Sequence, residues 1–198
     1  MELASLITAI IAALISVVSA CAAWRATRPK PKLSGTITMG WRQGVNMSIP
    51  GELSGDAVGL HLILTNASSH PIHPLRFELE VRTGSRWRTG KRMQNYQTTL
   101  PELRFSNYAA SIAYEHLIDW PPRAVNHGAP LMGFIYHIVP GLTESESIDE
   151  YRVTVTDVFG GKTRFSKSQA EVDAWNTGAS AHTTLELITH AGIPVRTV

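Results

Sequence analysis

The hydrophobic and polar positions of the chain follow two patterns. Residues 3–24 form a run of 22 without a charged side chain, whereas from Leu33 onward apolar and polar residues often alternate. At about 1.5 Å per residue, a helix of this length reaches about 33 Å, and the hydrocarbon core of a bilayer is about 30 Å thick. Alternation with a period of two predicts β-strands. The sequence therefore predicts an N-terminal transmembrane helix, residues 1–24, followed by a β-rich domain.

The clearest strand pattern is Leu75–Arg82, in which apolar and charged residues alternate over eight positions. This pattern predicts a strand with one face in the core and the other in water. Residues 33–39, 58–65 and 151–156 alternate in a similar way. Leu131–Val139 is almost continuously apolar, which is typical of a strand that is buried on both faces.

Turn and cap residues add two local predictions. Gly160 and Gly161 separate two strand patterns and predict a hairpin, because glycine tolerates the positive φ of tight turns. Ser168 and Glu171 have the spacing of a capping box and predict a two-turn helix that ends near residues 176–178. The last 20 residues contain one weak strand pattern, at 184–189, and are otherwise expected to be a loosely held tail.

These patterns predict a mainly β fold, an antiparallel β-sandwich of seven to nine short strands. In strand spacing, residues 33–166 resemble immunoglobulin-like and fibronectin-like sandwiches. They lack the paired core cysteines of antibody domains, so no function follows from the resemblance. The predicted segments are a signal anchor (1–24), a basic, Pro-rich linker (25–32), the sandwich domain (33–178) and the tail (179–198). This layout resembles small bacterial or phage single-pass membrane proteins of unknown function.

Charge next to the apolar run predicts its orientation. Glu2 is the only charged side chain before the run, and four basic residues follow it directly. Because Lys and Arg are enriched on the cytoplasmic side of membranes, we expect the N-terminus outside and the C-terminal domain in the cytoplasm. An amphipathic ring and cations suit the boundary between lipid and water. The predicted membrane-interface residues are Trp24, Arg25, Arg28, Lys30 and Lys32.

Cys21 leaves one alternative open for this segment. The start of the chain lacks the positive charge of a cleaved signal peptide, and the basic residues after the run oppose translocation. Val18–Cys21 nevertheless resembles a bacterial lipoprotein signal, which implies lipid on Cys21 and a translocated envelope protein. Cys21 is the only cysteine, so the domain contains no disulfide and no cysteine metal site.

Two further features concern association. The apolar run carries small residues that permit close helix packing, which favours a homo-oligomer. These residues are Ala9, Ala12, Ala13, Ser16 and Ala20.

The net charge of +2 also hides an asymmetry, since residues 25–104 are basic and residues 105–198 are acidic. If the two halves are separated in space, the basic half is expected to face an anionic surface.

Motifs for catalysis and metal binding are lacking in the sequence. His61, His70 and His73 match no zinc-binding spacing. There is no nucleophile elbow, no His-Glu-x-x-His and no phosphate-binding glycine loop. The prediction is therefore a protein without a catalytic, cofactor or metal site, and not an enzyme. A membrane-bound hydrolase with an unrecognised site is kept as an alternative.

A basic run that contains a tryptophan is the best candidate for binding. Arginine together with an aromatic ring suits contact with anionic lipid or with an acidic protein surface, whereas nucleic acid is not expected. The acidic segment 144–150 can pair with this run in a neighbouring copy. The sequence thus predicts a non-enzymatic binding or scaffolding module at the inner face of the membrane, with an unidentified protein partner. The candidate contact residues are Arg82, Arg86, Trp87, Arg88, Lys91 and Arg92.

Overall fold

The computed structural model describes residues 2–27, 33–47, 54–93, 100, 102–105, 108–178, 186, 188–189 and 192–197. The chain divides into two compact units at residues 30 and 31. The first unit contains a long helix and the second contains the strands.

The N-terminal helix α1 comprises Glu2–Thr27. The side chains of residues 10–24 are all exposed, including six large aliphatic ones that are each more than half exposed. Within the part of the chain that the structure describes, no helix combines the length and the apolar character that a membrane crossing requires. The predicted helix is confirmed, and its role as an anchor stays a prediction.

The second unit is built from antiparallel strands, as predicted. Its strands among the described residues are β1 (Leu33–Met47), β2 (Gly55–Asn66), β3 (Pro74–Thr83), β4 (Arg86–Thr89), β5 (Lys91–Arg92), β6 (Leu103–Phe105), β7 (Tyr108–Ala110), β8 (Leu131–Pro140), β9 (Glu150–Asp157), β10 (Lys162–Ser168) and β11 (Val195–Thr197). Their order in the sheets is β1-β2-β8-β5, β10-β9-β3-β4 and β11-β7-β6.

The two four-stranded sheets share one hydrophobic core. Alternate residues of β3, such as Phe77 and Leu79, contribute to it from one sheet, and Leu60 and Leu62 of β2 contribute from the other. From Arg76 to Arg82 the intervening residues are partly or fully exposed, so this part of the predicted alternation corresponds to one core face and one wet face. The prediction is wrong for Leu75, which is exposed where the pairing with β9 is irregular between Pro74 and Arg76.

β8 is buried on both faces, as its apolar sequence predicted. Ile135 belongs to the core between the two large sheets, whereas Phe134 and Tyr136 point into a second core on the outer side. This second core also contains Ile112 and Leu117 from the segment between β7 and β8. The sheet that contains β8 therefore lies in the middle of three layers.

The expectation of a loosely held C-terminal tail is wrong for the described residues. Ile188 and Ile193 are buried in the second core, and β11 pairs with β7. The weak strand pattern at 184–189 is wrong as well, because Glu186, Ile188 and Thr189 are helical. The physical reason is that the outer face of the β8 sheet is apolar and has to be covered.

Two local predictions are confirmed. β9 and β10 form an antiparallel hairpin whose turn comprises residues 158–161. Helix α2 comprises Gln169–Gly178. The hydroxyl and the backbone N–H of Ser168 both donate to the Glu171 carboxylate, at 2.6 and 2.9 Å, and the Glu171 N–H donates to the Ser168 hydroxyl. These bonds lower the pKa of Glu171 and complete the capping box.

Candidate functional site

One continuous segment passes from one large sheet to the other at Gly90. β4, which precedes Gly90, pairs with β3. β5, which follows Gly90, pairs with β8 in the facing sheet. The Gly90 N–H donates to the Leu79 carbonyl at 2.8 Å. A Cβ at residue 90 would lie 2.9 Å from the Cβ of His137, so the close approach of the strands requires glycine here. Residues 86–92 thus close this side of the sandwich.

The first half of β3 borders an open groove. β4 pairs only with Glu80–Thr83, so among the described residues no strand lies beside residues 75–78 on this side. The groove has a volume of about 620 Å³, which is in the usual range of ligand sites. We call it the β3 groove. Its lining residues are Leu75, Arg76, Phe77, Glu78, Thr89, Gly90, Lys91, Arg92, His137, Thr156 and Lys162.

His137 is the most buried polar residue of the β3 groove, with 1% of its surface exposed. A ring N–H donates to the backbone carbonyl of Phe77, and Nδ1 has no hydrogen-bond partner among the described residues. Burial lowers the pKa of His137 to about 3, and the positive charge of Arg92 acts in the same direction. His137 is therefore a neutral ring at pH 7 with one polar atom unsatisfied.

Arg92 is held in place by a buried carboxylate. Its Nε lies 3.3 Å from Oδ2 of Asp119, whose side chain is fully buried. The guanidinium group also donates to the Asp119 backbone carbonyl and lies 5.3 Å from the centre of the Trp120 ring. Arg92 thus contributes a fixed cation whose charge is largely balanced within the protein.

Further cations line the β3 groove. Arg76 and Lys162 flank Thr156 as cross-strand neighbours. Arg76 pairs with Glu78 at 3.2 Å, but both side chains are exposed, so this pair is weak. Lys91 is half-buried and Lys162 is exposed. Among the described lining residues Glu78 is the one acid, so this part of the β3 groove carries a net positive charge.

The predicted pairing of the acidic segment with the basic run occurs within one chain. Arg82 lies 3.2 Å from Glu150, and Arg88 lies 2.7 Å from Glu146. The hydrogen bond from Arg88 is the main reason that the pKa of Glu146 is lowered. The idea that these acids pair with a neighbouring copy is therefore wrong for these two contacts, because the β8–β9 loop and the β3–β4 hairpin are adjacent in the fold.

The structure separates the six residues of the predicted contact surface. The Trp87 ring lies 3.5 Å from the guanidinium carbon of Arg152 and 6.0 Å from that of Arg82. Arg86 is exposed beside the hairpin turn. One set, on the β3–β4 hairpin, consists of Arg82, Arg86, Trp87 and Arg88, and the other, in the β3 groove, consists of Lys91 and Arg92.

The predicted membrane-interface residues lie mostly outside the described part of the chain. Trp24 is 58% exposed near the end of α1. Arg25 is helical, but its side chain is not among those described. Arg28, Lys30 and Lys32 lie outside the described residues.

The three histidines considered for metal binding do not share an environment. His61 is buried, with Nδ1 2.5 Å from the Thr38 hydroxyl and its ring 4.8 Å from the Phe134 ring, and burial lowers its pKa to about 4. His70 and His73 are exposed. Within the described residues there is no group of three or more His, Cys, Asp or Glu that could hold a metal ion.

Sequence reasoning missed His137, Arg76 and Lys162 as groove residues. One signal was present, because His137 is the one basic residue in the apolar run Leu131–Val139. In the sequence, Arg76 belongs to the charged face of a predicted strand. Lys162 is the residue that follows a predicted turn. Their proximity depends on the pairing of β3, β9 and β10, which no local pattern specifies.

The sequence was also compared with known proteins. It matches no protein-family model, and the comparison with curated proteins finds no match.

Proposed function

We propose that this protein is a membrane-anchored, non-enzymatic binding module whose β3 groove holds an extended, acidic segment of a partner protein. The observation that carries the proposal is the edge of β3 at residues 75–78, beside which no strand lies within the described part of the chain, together with the nearby cations Arg76, Lys91 and Lys162. An extended segment can add main-chain hydrogen bonds to a free strand edge, and carboxylates along it can meet the cations.

The strand order supports an immunoglobulin-like domain as the scaffold. If β6 and β7 of the third sheet are left out and the strands of the two large sheets are lettered in chain order, β1-β2-β8-β5 corresponds to A-B-E-D and β10-β9-β3-β4 to G-F-C-C′. The segment that changes sheets at Gly90 then connects C′ to D. In this interpretation the β3 groove lies where C, C′ and D meet.

A neutral His137 supports binding rather than catalysis. A histidine whose pKa is about 3 is a weak base and carries no charge at pH 7, so it is poorly suited to general acid–base chemistry. Nδ1 is itself buried, so His137 contributes a neutral ring to the floor of the β3 groove and no titrating group.

The anchor is proposed for the whole uncharged run Leu3–Trp24, including residues 3–9, whose side chains the structure does not describe. A helix that is apolar on every side requires an apolar environment. We expect the full chain to stay in the membrane pellet after alkaline carbonate washing, and we expect protease added outside intact cells to leave the domain uncut. Release by carbonate would reject the anchor. External digestion would favour the lipid-linked alternative, which Cys21→Ala tests through loss of palmitate incorporation.

The β3 groove can be tested with a defined probe. A fluorescent octapeptide of alternating Val and Glu is titrated against the full chain in mild detergent, beside a Val–Gln peptide of the same length. We expect the Glu peptide to bind more tightly and to lose affinity as salt rises. Lys91→Gln combined with Lys162→Gln should weaken it about tenfold, since each lost charge contact contributes roughly 0.7 kcal/mol.

Arg86→Gln is the matched control, because it removes an exposed cation outside the β3 groove. It should leave the affinity for the Glu peptide within about twofold. Equal binding of the Glu and Val–Gln peptides, or equal losses in the groove and control variants, would reject the β3 groove as the acidic-segment site.

A further inference from the structure

Three loops meet at one end of the sandwich, and together we call them the loop end. They connect β2 to β3 (67–73), lead into β8 (123–130) and form the β9–β10 turn (158–161). Ile72 pairs with Val125, and the N–H of Val158 donates to the His73 carbonyl at 3.0 Å. The loop end is therefore one continuous surface.

The β9–β10 turn exposes large apolar side chains at the loop end. Phe159 is 76% exposed and Val158 is 48% exposed. Leu75, near the start of β3, is also 60% exposed. Single exposed apolar residues are common, but three on adjoining strands and turns form a patch.

The turn that carries Phe159 is tightly held. One carboxylate oxygen of Asp157 accepts hydrogen bonds from the N–H groups of Phe159 and Gly161, both at 2.8 Å. The Asp157 carbonyl accepts a third bond, from Gly160, whose φ of +81° favours glycine. Asp157 itself is buried. Because the backbone is fixed in this way, the exposed Phe159 is presented at a defined position.

Charge at the loop end favours an anionic partner. The three loops contain no Asp or Glu. The carboxylate of the neighbouring Asp157 accepts hydrogen bonds from the backbone of the turn. Arg123 and Lys162 are exposed there. The acidic loop that precedes β9 lies at the opposite end of the strands, next to the β3–β4 hairpin.

The polypeptide also enters the domain at this end. Leu33, the first residue of β1, pairs with Asn66 at the end of β2, and its carbonyl accepts a hydrogen bond from Thr163 at 3.5 Å. The sequence just before Leu33 carries three cations, Arg28, Lys30 and Lys32.

We propose that the loop end contacts an anionic bilayer, with Val158 and Phe159 entering the interfacial region and Arg123 and Lys162 meeting headgroup phosphates. Exposed aromatic and aliphatic side chains beside cations are suited to this boundary. The loop end shares Lys162 with the β3 groove, but Val158 and Phe159 are not among the described lining residues of the groove, so variants of these two residues test the loop end alone. The inference concerns a surface that the sequence pattern did not indicate.

The test uses the full chain reconstituted in vesicles of phosphatidylcholine and phosphatidylglycerol. Cys21→Ser removes the native thiol, and a single cysteine at Asn126→Cys (loop end) or Ser85→Cys (opposite end) carries an environment-sensitive fluorophore. The two sites are separated by the length of β3, roughly 30 Å. We expect lipids spin-labelled near the headgroup to quench the label at residue 126 strongly and the label at residue 85 only weakly.

One double variant and one change of lipid identify the groups that make the contact. Val158→Ser with Phe159→Ser should reduce quenching at residue 126 to the level seen at residue 85, and vesicles of phosphatidylcholine alone should reduce it partly. Weak quenching at residue 126 in the parent chain, or strong quenching that the double variant leaves unchanged, would overturn the proposal. Carbonate extraction of the same vesicles tests the helix separately, so failure of the anchor is distinguishable from failure of the loop end.

Discussion

At the scale of single residues, the β8 sheet contains two buried histidines with lowered pKa values. His61 on β2 and His137 on β8 are 2% and 1% exposed. Burial lowers their pKa values to about 4 and about 3, from 6.5 in water. Both rings are therefore neutral in the folded protein at pH 7 and at pH 5.

These pKa values predict that stability falls on mild acidification. The folded state binds protons less readily than the unfolded state, so the full stability is present above about pH 6.5 and is lost as the pH falls below it. At pH 5 each histidine should cost about 2 kcal/mol of unfolding free energy, since one pKa unit is worth about 1.4 kcal/mol. Urea unfolding of the full chain in mild detergent at pH 7.5 and pH 5 measures the difference.

His137→Gln should remove about half of this pH dependence, because one titrating ring is lost. The exposed His127→Gln is the control and should retain the full dependence, since it removes no buried ring. A His137→Gln protein as acid-sensitive as the parent would show that burial of this ring is not the cause.

At the scale of elements, the β3–β4 hairpin is tied to the β8–β9 loop by charge. Arg88 donates to the Thr83 hydroxyl at 2.6 Å and to Glu146 at 2.7 Å, and its side chain is only 18% exposed. Arg86, two residues away on the same strand, is exposed. Two arginines of one basic run therefore have different roles.

Arg88→Gln should lower the free energy of unfolding clearly more than Arg86→Gln does, because the mostly buried Arg88 donates to both Thr83 and Glu146. Arg86→Gln should change it by less than about 0.5 kcal/mol. Urea unfolding at pH 7.5 compares the two variants. Equal effects would mean that the ion pair to Glu146 contributes nothing specific, and a double-mutant cycle with Glu146→Gln would then show no coupling.

At the scale of the whole molecule, the third sheet and the C-terminal segment cover the outer face of the β8 sheet. The second core combines residues from β8, from the segment around Leu117 and from the C-terminal residues Ile188 and Ile193. The distant parts of the chain meet because an apolar sheet face would otherwise be exposed to water. The described C-terminal residues are thus part of the folded domain.

Truncation after residue 185 should therefore destabilise the domain strongly. Burial of Ile188 and Ile193 is worth about 3–6 kcal/mol together, at roughly 1.5–3 kcal/mol for each side chain. Thermal unfolding should show a large loss for the truncation and for Ile188→Ala. Arg196→Gln, which removes an exposed ion pair with Glu102, is the control and should have little effect. An unchanged melting temperature after truncation would contradict the packing described here.

Much of the strand content was predictable, whereas the β3 groove was not. The alternation at Leu75–Arg82 and the apolar run Leu131–Val139 identified β3 and β8, because period-two burial is a local property. Lys91 was predicted as a contact residue on the basis of local charge alone. Its place beside Lys162 depends on sheet order and on the crossing at Gly90.

The sequence by itself determined the strands of the two large sheets other than β4 and β5, the β9–β10 turn and the α2 cap, because each depends on residues that are neighbours along the chain. The tertiary structure alone decided which charges are balanced and which line the β3 groove. It also decided that His137 is neutral and that the C-terminal segment is packed. These properties depend on distance and burial, and residues such as Arg88 and Glu146 become partners only when separate loops come together.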